Sequence, residues 1–183
     1  MRVVGGIAKG RKLAPPAIAG ARPTSELMRG VIFNILGPEL IEGAKVADLY
    51  AGIGSLGIEG LSRGAVSADF VEKNPRQCAV IRSNLKSAGF EDSGRVYCVE
   101  VARGLGVLQG PYRVVLMDPP YRLQTLDPDL EALDRAHLVE VEGMLVVGHS
   151  KRLKLKEKYG SLSLVRSRRH GDSVVDFFLA EGV

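Results

Sequence analysis

From Lys45 onward the chain alternates short runs rich in Val, Ile, Leu and Phe with longer stretches whose apolar residues recur every three or four positions. Strands are expected over residues 46–50, 67–71, 96–99, 114–117 and 143–148, and helices over 55–63, 75–88, 102–108 and 126–137. Gly64 closes the first of these helices. Asn74 caps the next with Pro75 at its first position, Cys78, Ile81, Leu85 and Ala88 share one face, and Gly89 ends it. Strand-helix units of this length predict a parallel sheet with helices on both faces and ligands at the carboxyl edge of the strands. Two later alternating segments, 162–167 and 174–180, meet across His170-Gly171-Asp172 and read as a hairpin that adds an antiparallel strand. The expectation is an α/β, Rossmann-like fold with a mostly parallel seven-stranded sheet and an antiparallel C-terminal strand.

The first strand of this series runs into Asp48-Leu-Tyr50-Ala-Gly52-Ile-Gly54-Ser-Leu-Gly57. Gly52, Gly54 and Gly57 fit a G-x-G-x-x-G pattern, and Glu72 stands at the end of the second strand, where an acidic residue accepts from ribose hydroxyls. Two cofactor classes use such a loop, and charge separates them. A dinucleotide brings a pyrophosphate that Asp48 repels; S-adenosylmethionine brings an ammonium and a sulfonium that Asp48 attracts. Asp48 therefore argues for S-adenosylmethionine over NAD. A glycine turn made only for helix-sheet packing leaves Asp48 and Glu72 unexplained.

The apolar run Val114-Val115-Leu116-Met117 ends in Asp118-Pro119-Pro120-Tyr121. Each proline fixes its own φ and restricts the residue before it, so the turn is rigid. A carboxylate and a proline-turn carbonyl can accept both hydrogens of an exocyclic NH2, and Tyr121 can stack on the attached ring. By itself the same tetrapeptide also reads as an ordinary strand-to-loop turn with a capping Asp.

Before Lys45 the order is different. Residues 2–13 are broken by Gly5-Gly6 and Gly10 and favour a small β-hairpin; residues 14–22 form a Pro/Ala/Gly connector. A helix is expected over 25–36, capped by Thr24, with Leu27, Val31 and Ile35 inward, Arg29 and Asn34 off that face toward a ligand, and Gly37-Pro38 as its stop. Residues 1–40 thus form an extension contacting substrate, and 41–183 the main domain. Charge follows the same division. Residues 1–29 carry six basic side chains against Glu26, and residues 151–170 carry eight against Glu157, in a chain whose net charge is only +4. Basic ends around an acidic middle suggest a polyanion gripped by the ends.

Hydrophobic content of 45% marks a globular chain. No run approaches the length of a membrane span, so a cytoplasmic location without a membrane partner is expected. Cys78 and Cys98 are read as packing residues. His137, His149 and His170 share no ligand-like spacing, so no metal is expected.

Taken together, the Gly5-Gly6 and Gly10-Arg11-Lys12-Leu13 pieces, Arg22-Pro23-Thr24, Phe33-Asn34, the Asp48 to Gly64 stretch, Asp118-Pro-Pro-Tyr121 and Arg168-Arg169-His170-Gly171-Asp172 resemble a class I S-adenosylmethionine-dependent methyltransferase of the amino-methylating type. More narrowly, they resemble the bacterial family that methylates N2 of a guanine in 16S ribosomal RNA. The tetrapeptide is shared with DNA adenine, RNA and glutamine amide methyltransferases; the amino-terminal motifs narrow the resemblance. It implies catalysis at Asp118, Pro119, Pro120 and Tyr121, and S-adenosylmethionine held by Asp48, Tyr50, Gly52, Gly54, Gly57, Glu72, Lys73, Glu100, Val101 and Asp118. It also implies RNA contacts from Lys9, Arg11, Lys12, Arg22, Thr24, Arg29, Asn34, Arg168 and Arg169. The implied partner is 16S rRNA or the small ribosomal subunit, and a monomer is expected. Two positions depart from the family: Gly30 stands where Glu is usual, and Glu100 where Asp is common. Transfer to DNA or another RNA, a catalytically silent RNA-binding assembly factor and an NAD-linked oxidoreductase are the rival readings. The last lacks an evident proton donor and leaves the basic ends idle.

Overall fold

A computed structural model describes residues 1–21 and 23–182, so Arg22, expected at the RNA surface, lies outside the described residues. Its centre is an eight-stranded sheet made of β1 (Lys45–Leu49), β2 (Ser67–Val71), β3 (Gly94–Tyr97), β4 (Tyr112–Met117), β5 (Val139–Ser150), β6 (Lys158–Tyr159), β7 (Leu162–His170) and β8 (Ser173–Ala180). The spatial order is β3-β2-β1-β4-β5-β8-β7-β6. The first five strands in that order are parallel, and β8, β7 and β6 pair antiparallel. The eighth strand is β6, two residues beyond the expected seven. From β1 the chain steps outward to β2 and β3, then returns to the other side of β1 as β4. The crevice between the carboxyl ends of β1 and β4 is therefore the switch point at which open α/β sheets bind ligands.

Strand alternation divides the core between two faces. Val46, Phe70, Val114, Leu116 and Val146 face α1 (Glu26–Ile41), α2 (Ser55–Ser62) and α3 (Pro75–Ala88). Ala47, Leu49, Val71, Val115, Met117 and Leu145 face α4 (Val101–Gly104) and α5 (Asp127–Arg135). Asn74 caps α3 through its side chain, Pro75 opens it and Gly89 ends it in the left-handed region, as the sequence predicts.

Several expectations shift. Strand β3 begins two residues earlier than expected, and α4 shrinks to four residues. Strand β5 starts at Val139 because Val139-Glu-Val-Glu already alternates; Glu142, at φ 62, and a register shift opposite Tyr112 and Val114 interrupt its pairing. In α1 the cap is Ser25, whose side chain accepts from Met28 N at 3.1 Å, and not Thr24. Gly37, at φ 70, kinks the helix, which resumes through Pro38 to Ile41. The inward face is Met28, Ile32, Phe33 and Leu36, while Leu27 is 62% exposed. Both stripes have i, i+4, i+8 spacing, so periodicity could not choose between them.

The amino-terminal segment is laced onto α2 and α3. Residues 2–13 close with one antiparallel bridge, Arg2 to Lys12. Glu59 accepts from Val4 N at 2.9 Å and Gly5 N at 2.8 Å, and Asn84 accepts from Ala14 N at 2.7 Å. Val3, Ala8 and Leu13 lie in the same buried cluster as Val46 and Ile58.

Candidate active site

The glycine loop after β1 uses its three glycines for three different reasons. Gly52, at φ 58, would point a Cβ into open space. Gly54, at φ 79, caps α2. A Cβ on Gly57 would stand 2.3 Å from Phe70 Cε1, so only glycine lets α2 approach the sheet so closely. Glu72 Oε2 accepts from Gly52 N at 2.9 Å and Oε1 accepts from Asn74 N at 2.9 Å. Each oxygen keeps a lone pair for a further donor.

Asp48 is 1% exposed, and its Oδ2 accepts from Gly57 N at 2.9 Å. Burial pushes its carboxyl well above the usual carboxylate range; the Gly57 bond opposes this, and the charges of Asp118 and Glu72 add to it. Three carboxylates thus converge on the crevice. A cationic ligand relieves their mutual repulsion and a phosphate increases it, so the residues present fit a ligand carrying an ammonium and a sulfonium.

The rest of the expected cofactor set is spread around this loop. Tyr50, at φ 56, turns away to α5, where its hydroxyl donates to Asp129 Oδ2 at 2.6 Å. Lys73 and Glu100 are exposed and face each other at 3.8 Å, and Val101 is buried beneath them in the core.

Asp118 follows β4 directly. Thr24 Oγ1 donates to its Oδ2 at 2.5 Å. Burial raises the Asp118 pKa and the Thr24 bond lowers it, with a net upward shift. On neighbouring β5, a Cβ at Gly148 would lie 2.7 Å from Asp118 Oδ1, so glycine makes room for the carboxylate there. Leu123 N donates to the Pro120 carbonyl at 3.1 Å, and among the described residues the Pro119 carbonyl accepts no backbone hydrogen bond. Tyr121 is 49% exposed, and its hydroxyl donates to Ser173 Oγ at 2.8 Å, which fixes the ring beside the first residue of β8.

One pair at the site escaped the sequence. His149 and Asp176 are buried, with Nε2 2.8 Å from Asp176 Oδ2 and Nδ1 2.9 Å from the Ser150 carbonyl. His149 lines the small cavity under Pro119, Pro120 and Tyr121. Burial disfavours its charge, but the bonds to Asp176 and to the Ser150 carbonyl outweigh burial and raise its pKa. The two residues lie 27 positions apart, on β5 and β8, and only their strand pairing brings them together.

Of the residues expected at the RNA surface, Lys9, Arg11, Lys12, Asn34, Arg168 and Arg169 are exposed. Thr24 is drawn instead into the site. Arg29 is a correction: it is fully buried, bonded to the Arg2 carbonyl and to Met1 Sδ, with its Nε 3.8 Å from Glu59 Oε2. A guanidinium enclosed by the extension and α2 cannot meet a phosphate.

Comparison with known proteins bears on the family and the fold. The family described as conserved hypothetical protein 95 matches residues 1–179. YlbH of Bacillus subtilis, whose name carries a provisional rRNA methyltransferase assignment, is 34% identical over the whole of both chains. Ribosomal RNA small subunit methyltransferase D of Escherichia coli K12 is 32% identical over 149 residues, 80% of this chain and 73% of its own. The structure of YhhF from Escherichia coli, provisionally a methyltransferase, superposes with a TM-score of 0.86 at 28% identity, covering 100% of this chain and 99% of that one.

Proposed function

The chain belongs to the conserved hypothetical protein 95 family, and from that membership we propose that it is an S-adenosylmethionine-dependent rRNA methyltransferase acting on the exocyclic N2 amine of a guanine in 16S rRNA. The observation that carries this reading is the convergence of Asp48, Glu72 and Asp118 on the crevice beside Tyr121. The first two suit a cationic nucleoside, and the last suits an amine.

S-adenosylmethionine supplies a methyl group activated by its sulfonium. Gly52 leaves backbone open to its approach, Glu72 accepts from ribose hydroxyls, and Asp48 balances positive charge. An exocyclic base amine is a weak nucleophile because its lone pair is delocalised into the ring. Asp118 Oδ1 and the Pro119 carbonyl accept its two hydrogens, which localises the lone pair and aims it. Thr24, by holding Oδ2, fixes which oxygen does so. Holding reactants in line is worth up to roughly 7–11 kcal/mol. A paired base must swing out at a cost of a few kcal/mol, and stacking on Tyr121 offsets this. Arg168 and Arg169, on the hairpin that also carries Ser173, hold phosphates without reading sequence.

The test is transfer of labelled methyl from S-adenosylmethionine to deproteinised 16S rRNA lacking the modification, to small subunits from the same source, and to plasmid DNA. Label recovered as N2-methylguanine from RNA or subunits is the expected result. Label confined to DNA, or recovered on another base, overturns the assigned acceptor; no label despite cofactor binding overturns the assigned reaction.

A further inference from the structure

Two side chains that the proposed reaction does not use lie unusually close together. Cys78, buried in the first turn of α3, and Cys98, exposed just after β3, are both free, and their Sγ atoms are 2.8 Å apart. A disulfide spans about 2.05 Å, so closing the bond needs a movement of under roughly 1 Å. The two sulfurs come from opposite sides of one βα crossover: Cys78 follows the Glu72-Lys73-Asn74 turn, and Cys98 precedes Glu100. The pair is therefore tied by short stretches of chain to Glu72 and Glu100, two of the residues expected to hold the cofactor.

The two thiols differ in a way that assigns them different roles. Cys98 is open to solvent, where an oxidant reaches it. Cys78 is enclosed and also donates to the Glu72 carbonyl at 3.2 Å. Burial first, then its contact with Cys98, pushes the Cys78 thiol up to about 12, while the Arg82 guanidinium pulls the other way. A buried thiol of this kind is slow to meet an oxidant directly, but it is already in place to attack a neighbouring sulfur. Proximity supplies what its small thiolate fraction lacks.

We propose that Cys78 and Cys98 form a peroxide-oxidisable dithiol that closes to an intramolecular disulfide. In the first step the Cys98 thiolate attacks one oxygen of hydrogen peroxide; the O–O bond breaks, Cys98 becomes a sulfenic acid, and the departing hydroxide takes a proton as water. In the second, Cys78 sulfur attacks the sulfenic sulfur; the S–O bond breaks and the hydroxyl leaves with the Cys78 proton as water. Two thiols lose two hydrogens and two electrons, and one peroxide becomes two waters. The product staples the start of α3 to the end of β3 and removes the thiol hydrogen that the Glu72 carbonyl accepts.

The test uses the full chain, fully reduced, exposed to hydrogen peroxide and quenched with a thiol alkylator. The expected product is a monomer lighter by two hydrogens, resistant to alkylation, whose tryptic map links peptide 77–82 to peptide 96–103 and reverts on reduction. In the C78S variant Cys98 accumulates as a sulfenic acid trapped by dimedone. In C98S the remaining thiol stays alkylatable at the same dose. Two thiols still alkylatable in the parent chain, oxidation of Cys98 alone to sulfinic acid, or a disulfide-linked dimer overturns the proposal. The map of the parent chain decides the matter even where a variant does not fold.

Discussion

Thr24 Oγ1 donates to Asp118 Oδ2 at 2.5 Å, joining the end of the amino-terminal connector to the end of β4 across 94 positions of chain. The bond opposes the burial that raises the Asp118 pKa, and in the proposed reaction it leaves Oδ1 for the acceptor amine.

Removing that bond therefore has a defined signature. A hydrogen bond to a charged group is worth about 1.5–3 kcal/mol. Thr24→Val lowers kcat roughly tenfold or more, with little change in cofactor affinity. It also moves the acid limb of the pH profile to higher pH, because the ionised carboxylate has lost a donor. Thr24→Ser keeps the donor and the parent profile. Asp118→Asn lowers kcat on the order of 10²- to 10³-fold, by analogy with loss of one polar group at a charge-developing centre, while S-adenosylmethionine still binds. Methyl-transfer rates across pH, with calorimetry of cofactor binding, check each variant.

The glycine loop separates packing from binding. Gly57→Ala forces a Cβ against Phe70, 2.3 Å from Cε1. It costs about 1–3 kcal/mol, and the melting temperature falls by about 2–4 °C for each kcal/mol in a chain of this size. Gly52→Ala meets no neighbour, but its φ of 58 costs an L-residue about 1 kcal/mol, and its methyl enters the space assigned to the cofactor in the proposed function. The expected outcome is a smaller loss of stability than at Gly57 with at least about tenfold weaker cofactor binding. The reverse ranking refutes the assignment.

The Asp48 carboxyl has a folded pKa raised above its ordinary value near 3.8. A raised folded pKa means that the native state holds the proton more tightly than the unfolded chain. Its contribution to stability is complete below the unfolded pKa and is lost as pH rises through the folded one. Asp48→Asn should melt higher than the parent at pH 8, with the difference closing toward pH 4. Added S-adenosylmethionine should raise the melting temperature of the variant less than that of the parent.

The buried Arg29 and Glu59 are set by the fold and not by nucleic acid. Glu59 also accepts from Val4 N, Gly5 N and Arg63 Nε, so Glu59→Gln leaves Arg29 enclosed without its countercharge. The expected cost is about 3–5 kcal/mol in denaturant unfolding. Arg29→Met costs less, because Glu59 keeps its other donors, and the folded variant binds RNA with parent affinity. Arg168→Ala with Arg169→Ala has the opposite effect: unfolding is unchanged, affinity drops and the salt slope falls by roughly 1.4–1.8.

Most of the sheet could be read from the sequence because strand and helix periods differ and the breaks are marked by Asn74-Pro75, Gly64 and Gly89. Asp48, Glu72 and Asp118 were legible as candidates because each falls at or next to a strand end. What failed has physical causes. Apolar residues surround most of α1, so Leu27-Val31-Ile35 and Met28-Ile32-Leu36 offered equal stripes, and with the wrong one chosen Arg29 faced outward. Thr24 and Ser25 are both good caps; tertiary contact gave the cap to Ser25 and freed Thr24 for Asp118. Cys78 and Cys98 were read separately as packing residues, yet Cys98 is exposed and β2–β3 pairing brings the two together. His149 and Asp176 had no local signal, since their meeting depends on an antiparallel register between β5 and β8.

The lacing of the amino-terminal segment onto the domain has a kinetic side. Its hydrogen bonds to side chains of the domain reach forward by 55 positions from Val4 N to Glu59, 70 from Ala14 N to Asn84 and 94 from Thr24 Oγ1 to Asp118. During synthesis this segment is made before every one of those partners, so it docks in stages, and its Thr24 end cannot settle until β4 has been translated and placed. The Thr24 hydroxyl thus waits through 94 positions of further synthesis before its carboxylate partner exists.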